Sequence, residues 1–204
     1  MAKTDVTLAQ VSELREMANA KGVSRSRFQE WLVQEAAQVL DTLRPILSLV
    51  TSVILGPVEK FIAKDHFKID TSASAKVKIG YLGDDFKRYF LGVVEQSVSK
   101  IELAAYRLEK NLLDEEILRE LGDCAQTSLS HLWELLIKQG HGQEGILLTN
   151  GCANIFYILD AKGNRWPVDA HWYACYGDWL VDAYSVDDPY GWDAGIRVVS
   201  PRNS

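Results

Sequence analysis

Apolar positions recur mostly at helical spacing up to about residue 142, and after it they alternate or cluster as strands do, with Gly and Asn between them. Residues 9–21 read as a helix closed by Gly22. Ser24 then caps a second helix starting near Arg25 or Ser26, with Phe28, Trp31, Leu32, Val39 and Leu43 mostly on one side. The run "PILSLVTSVILGP" (45–57) is uncharged and predicts a buried helix broken at Gly56-Pro57. Residues 66–83 are polar and read as a loop with one short strand near Lys76–Ile79. Phe86, Phe90, Val93, Val94, Ile101 and Leu108 make the stripe of a long helix over 86–111. Asp114 caps the next helix, with Ile117, Leu118 and Leu121 inward. Gly122-Asp123 interrupts it, and it restarts at Cys124 and runs to Gly140.

Beyond residue 142 the strand candidates are "GILLTN", "NIFYILD", "RWPVDAHWYACY", "DWLVDAYSV" and "GIRVVS". "DAKGN" (160–164) and "YGD" (176–178) supply tight turns, so neighbouring strands should be antiparallel. The expected fold is α+β: about four helices packed on one side of a C-terminal antiparallel meander of four or five strands. Residues 1–44 form a dimerisation or DNA-binding helical segment in this reading. A helical core (45–142) and a sheet (143–204) together make one domain.

The 204 residues, 47% of them hydrophobic and 25% charged, suffice for a real core. A net charge of -6 argues against a generally basic nucleic-acid coat. Three cysteines are too few for a disulfide framework and point to reduced thiols in a cytoplasmic protein. The start lacks the apolar core of a secretory signal, and the most apolar run falls short of the ~20 residues a membrane helix needs, so no membrane partner is expected.

At the N-terminus, "DVTLAQVSELREMANAKGVSRSRFQEWLVQEAA" places a short alternating stretch (Thr4 to Leu8) before a helix, Gly-Val-Ser-Arg-Ser and a second amphipathic helix. This order resembles the ribbon-helix-helix repressors, over about residues 3–40. The resemblance implies a homodimer whose paired strands enter the major groove, with Lys3, Asp5 and Thr7 toward the bases and Ser24, Arg25 and Ser26 at a phosphate. DNA contact would thus run through residues 3–27. Residues 1–44 balance six Lys/Arg against six Asp/Glu. The same letters also fit a helix-turn-helix exposing Arg25, Arg27 and Gln29, or a plain helical hairpin with a capped turn.

A second resemblance rests on "LGDCAQTSLSHLWELLIKQG" (121–140) followed by "HWYACYGDWLVDAYSVDDPYG" (171–191). It is similar to papain-like and transglutaminase-like cysteine hydrolases. The likeness implies Cys124 as nucleophile at a helix N-terminus, His171 as base and Asp188 as the carboxylate that holds the ring, with Asp182 or Asp187 as substitutes. Cys152 with His171 is a variant of the same idea.

No CxxC or HxxxH spacing and no phosphate-cradling glycine loop occurs, so neither metal nor cofactor is expected. Four of six Trp and five of eight Tyr fall between 157 and 192, and seven Asp lie between 160 and 193. On alternation, Val168, Ala170 and Trp172 share one strand face, and Asp169, His171 and Tyr173 the other. These letters fit a core face backed by a solvated face. They also fit a partner-binding surface built on Tyr173, Trp179, Tyr184 and Trp192, whose aspartates would select a basic or sugar-like partner. The leading expectation is a non-enzymatic binding or regulatory protein that dimerises and contacts DNA through its N-terminus. The alternatives are a cysteine hydrolase or acyl transferase, and a structural partner-binding module without DNA.

Overall fold

β-branched and small polar residues decide the stretch after Pro45. Val50, Thr51, Val53 and Ile54 favour an extended backbone, and Leu47–Leu55 is strand β1 rather than a buried helix. A computed structural model describes the backbone of residues 8–43 and 45–202 and the side chains of residues 11–36 and 45–202. The chain divides into two compact units, residues 1–44 and residues 45–204.

In the first unit, α1 (Leu8–Ala20) and α2 (Arg25–Leu43) flank a turn at Gly22. The Ser24 hydroxyl accepts a hydrogen bond from the Arg27 amide at 3.3 Å, and the Ser24 carbonyl accepts one from the Phe28 amide at 3.0 Å. Lys3, Asp5 and Thr7, and with them most of the expected ribbon strand, lie outside the described residues.

The second unit overturns the expectation of a helical layer on a small meander. Among the described residues it contains an eight-stranded mixed sheet in the order β1-β5-β10-β7-β8-β9-β3, with β6 beside β7. These strands are β1, β3 (Ile79–Leu82), β5 (Ile101–Leu108), β6 (Gln126–Thr127), β7 (Asn154–Leu159), β8 (Arg165–Tyr173), β9 (Asp178–Ala183) and β10 (Arg197–Pro201). A two-stranded sheet joins β2 (Phe61–Ile62) to β4 (Val94–Glu95). The helices are α3 (Ala63–His66), α4 (Asp84–Phe90), α5 (Asp114–Leu121) and α6 (Leu129–Lys138).

The long helix expected over 86–111 is thus α4, a turn, β4 and β5. Within β5, Leu103 and Ala105 pack in one core cluster while Leu108 joins another. A strand covered on both faces shows a near-continuous apolar run instead of clean alternation. That is why helical spacing matched it by coincidence. The C-terminal strands are not a meander either. β10 runs antiparallel to β5 and parallel to β7 and lies between them, and "GILLTN" forms no strand. The turn at "DAKGN" does form, with Gly163 at φ +85°.

Two apolar layers sandwich the sheet. On one face, Phe67 just after α3, Phe86 and Phe90 of α4, and Leu132 and Leu136 of α6 pack against Leu103, Phe156, Val168 and Val199. On the other, α5 supplies Ile117 and Leu121 against Ile155, Tyr157 and Val198. No described helix is long and apolar enough to cross a membrane.

Candidate functional site

Strands β8 and β9 turn one set of side chains into the core and the alternate set toward the face that α5 covers farther along. The inward set pairs Val168 with Ala183, Ala170 with Val181 and Trp172 with Trp179. The outward set pairs Asp169 with Asp182, His171 with Leu180 and Tyr173 with Asp178. Polar side chains therefore gather where the outward face runs past α5.

Asp169 is only 4% exposed. Its Oδ1 accepts the Asn154 amide at 3.1 Å, and its Oδ2 accepts from His171 Nδ1 at 2.9 Å. The bond to Asp169 holds the half-buried His171 imidazole above its ordinary value. Burial pushes the Asp169 carboxyl up against the lowering effect of these two bonds. Asp182, directly opposite, is also pushed up by burial, and the charges of Asp85, Asp169 and Asp84 add to the rise.

A second buried carboxylate, Asp114, opens α5 and is 3% exposed. Its Oδ1 accepts from the Tyr157 hydroxyl at 2.6 Å and from the Trp192 indole Nε1–H at 2.9 Å. Burial raises its carboxyl in spite of both bonds. The fully buried Tyr157 is raised first by its own burial and then by the Asp114 charge. Tyr184 continues the line of β9 and meets Trp192 edge-on, with ring centroids 5.6 Å apart and planes at 79°. Burial first, then Asp169, Asp182, Tyr81 and Asp188, push its hydroxyl up to about 12.

Of these groups Asp114, Tyr184 and Trp192 border an opening, and it meets a second one at Asp188. One, of about 170 Å3, is lined by Asp114, Tyr184, Asp188, Tyr190, Gly191 and Trp192. The other, of about 490 Å3, has Leu113, Leu118, Val186 and Pro189 as apolar surface and Glu115, Asp187 and Asp188 as acidic surface. Aromatic walls with buried or rimming carboxylates suit an organic cation. Among the described residues no three His, Cys, Asp or Glu side chains are placed to hold a metal ion.

The residues singled out from sequence fall in separate places. His171 and Asp188 both belong to this half of the molecule, yet the carboxylate bonded to His171 is Asp169. The Asp188 Oδ1 instead accepts the Tyr190 amide at 3.0 Å. Cys124 is half-buried in a 3-10 turn, Gly122–Ala125, and borders an opening with Leu47, Tyr106, Glu120, Leu121 and Ser200. Ser128, not Cys124, caps α6, accepting the His131 amide at 3.2 Å. β6, which follows Cys124, pairs with β7, and β7 separates it from β8 and His171. Cys152 is half-buried just before β7.

Ser24, Arg25 and Ser26 are exposed at the start of α2, with the two serine hydroxyls 3.2 Å apart. Tyr184 and Trp192 line the smaller opening. Tyr173 is 42% exposed near the β8–β9 turn, where its ring lies 5.0 Å from that of Tyr176. Trp179 is a correction: it is fully buried, its indole donates to the Gln139 carbonyl at 2.9 Å, and it offers no surface to a partner.

Asp114, Tyr157 and Asp169 were missed as site residues. Asp169 carried a readable signal, since it lies two residues before His171 on the same strand face. Asp114 looked like a helix cap and nothing more. Comparison with protein-family models, with curated proteins and with solved structures found no match for this chain.

Proposed function

We propose that the chain is a non-enzymatic, intracellular binding protein with a regulatory role. Its N-terminal unit pairs two copies and offers Ser24, Arg25 and Ser26, with Lys3 and Thr7, to DNA. The sheet unit holds a protein partner at its acidic aromatic loop.

One observation carries the pairing. No residue from 11 to 36 is buried. Val11, Leu14, Met17, Val23, Trp31, Leu32 and Val33 are 36–69% exposed. A two-helix hairpin with no core of its own gains too little burial to offset chain entropy. Leu14, Met17, Val23, Phe28 and Trp31 also line an opening of about 490 Å3, ready for apolar side chains of a second chain. The capped, serine-bearing start of α2 supports a phosphate contact once two copies are joined. Light scattering on the full chain, with a gel shift at two salt concentrations, tests this. A dimer with salt-sensitive DNA binding is the expected result. A monomer without such binding removes the repressor-like part.

A second reading, a cysteine hydrolase or acyl transferase, draws on the Asp169–His171 bond, which fixes an imidazole as a general base requires, although Cys124 borders a different opening, with Leu47, Tyr106 and Ser200. It needs Cys124 to label with iodoacetamide faster than Cys152 and Cys175 at about pH 6. Equal rates at the three thiols count against it.

A further inference from the structure

The segment 184–192 is clamped rather than loose. Leu112 and Trp192 exchange two backbone hydrogen bonds, of 3.1 and 2.8 Å. Gly191 makes this close approach feasible, because a Cβ there would lie 2.8 Å from the Leu112 carbonyl oxygen. Asp114 then ties down Trp192 from the α5 side. The result is a preformed corner, with Tyr184 and Trp192 as two nearly perpendicular walls and Tyr190, 82% exposed, at the mouth. Both bonds to Asp114 end on Oδ1, while the residue also lines the opening.

The charged side chains that line this corner are all acidic, and of them Glu115 is paired with Arg119 at 2.7 Å. Asp114, Asp188, Glu115 and Asp187 line the two joined openings, and no Lys, Arg or His lines either. An anion or a nucleic acid would be repelled. A neutral ligand would gain nothing from the acidic lining. A cation over aromatic faces gains from both the ring quadrupoles and the carboxylates. The smaller opening, about 170 Å3, suits one side-chain head group. The apolar surface of the larger one, beyond Asp188, suits neighbouring residues of the same peptide.

We propose that the Tyr184–Tyr190–Trp192 corner, with Asp114 and Asp188, binds the cationic side chain of an arginine or lysine on a partner protein. This deepens the partner-binding half of the proposed function and rests on it.

The test uses the full chain and three small probes: the Nα-acetyl amides of arginine, of lysine and of the uncharged norleucine. The readout is the Trp192 indole N–H signal in a nitrogen–proton correlation spectrum, assigned by loss in Trp192→Phe. The expected result is a saturable shift with one or both cations and none with norleucine. Asp188→Asn and Tyr190→Ala should weaken binding by about ten-fold, since each removes one attraction. Asn at 188 retains an acceptor for the Tyr190 amide, so the loop keeps its shape. The two cationic arms separate a guanidinium site from an ammonium site. No shift with either cation, an equal shift with norleucine, or unchanged affinity in both variants overturns the proposal. A dimer that binds DNA but no cation loses only this site. A monomer that binds the cations loses only the N-terminal reading.

Discussion

The two units handle their apolar residues in opposite ways. Residues 45–202 bury aromatics and aliphatics on both faces of a sheet, with Phe86, Phe90, Phe156 and Val168 all at 0% exposure. Residues 11–36 carry a comparable assortment of Leu, Val, Met, Phe and Trp, and none of them is buried. Sequence apolarity is alike and burial is not. The chain supplies a core in one unit, and on the proposed function the other unit's core is completed by a second copy.

Substitutions should divide along the same line. Phe156→Ala should cost the sheet unit about 3–5 kcal/mol, read from urea unfolding, and leave association unchanged. A similar loss at Phe156 and at exposed Val33 would erase the distinction between the units. Leu14→Asp should weaken self-association by about 2–3 kcal/mol, or roughly 30–150-fold, without moving the unfolding midpoint of the sheet unit. Ser24→Ala should remove about 1 kcal/mol from the hairpin, seen as lost helical circular dichroism with the sheet signal intact.

A subtler effect belongs to His171. Its bond to Asp169 raises it above 6.5, so the folded chain holds this proton more tightly than the unfolded one. The stability so contributed is fully present below pH 6.5 and is lost as pH rises through the raised folded value. Asp169→Asn should flatten that slope in pH-resolved unfolding, and an unchanged slope would refute the role given to the bond. Smallest of all, Glu115→Gln breaks an exposed 2.7 Å pair with Arg119 and should change stability by less than about 0.5 kcal/mol.

Part of this organisation was legible in the residues. The Gly22–Ser24 punctuation marks the α1–α2 turn, and alternation along 168–173 separates the inward and outward faces of β8. β1 and β5 were not legible as strands. β5 is packed on both sides, so its pattern loses the period of two that betrays a one-sided strand. The insertion of β10 between β5 and β7 is set by long-range pairing that no local pattern encodes. The site split in the same way. Tyr184 and Trp192 stood out by composition. Asp114 did not, because its partners Tyr157 and Trp192 lie 43 and 78 residues away. The carboxylate for His171 was sought at Asp188, across a turn, when the strand's own alternation already placed Asp169 beside it.

Light scattering of the full chain across a dilution series asks whether the exposed hairpin finds a second copy. The expected result is a particle of twice the 22.9 kDa chain mass that dissociates on dilution, and a 22.9 kDa particle for Leu14→Asp. A wild-type particle of 22.9 kDa at every concentration, with the α1–α2 helices still formed, would rule out pairing through the hairpin.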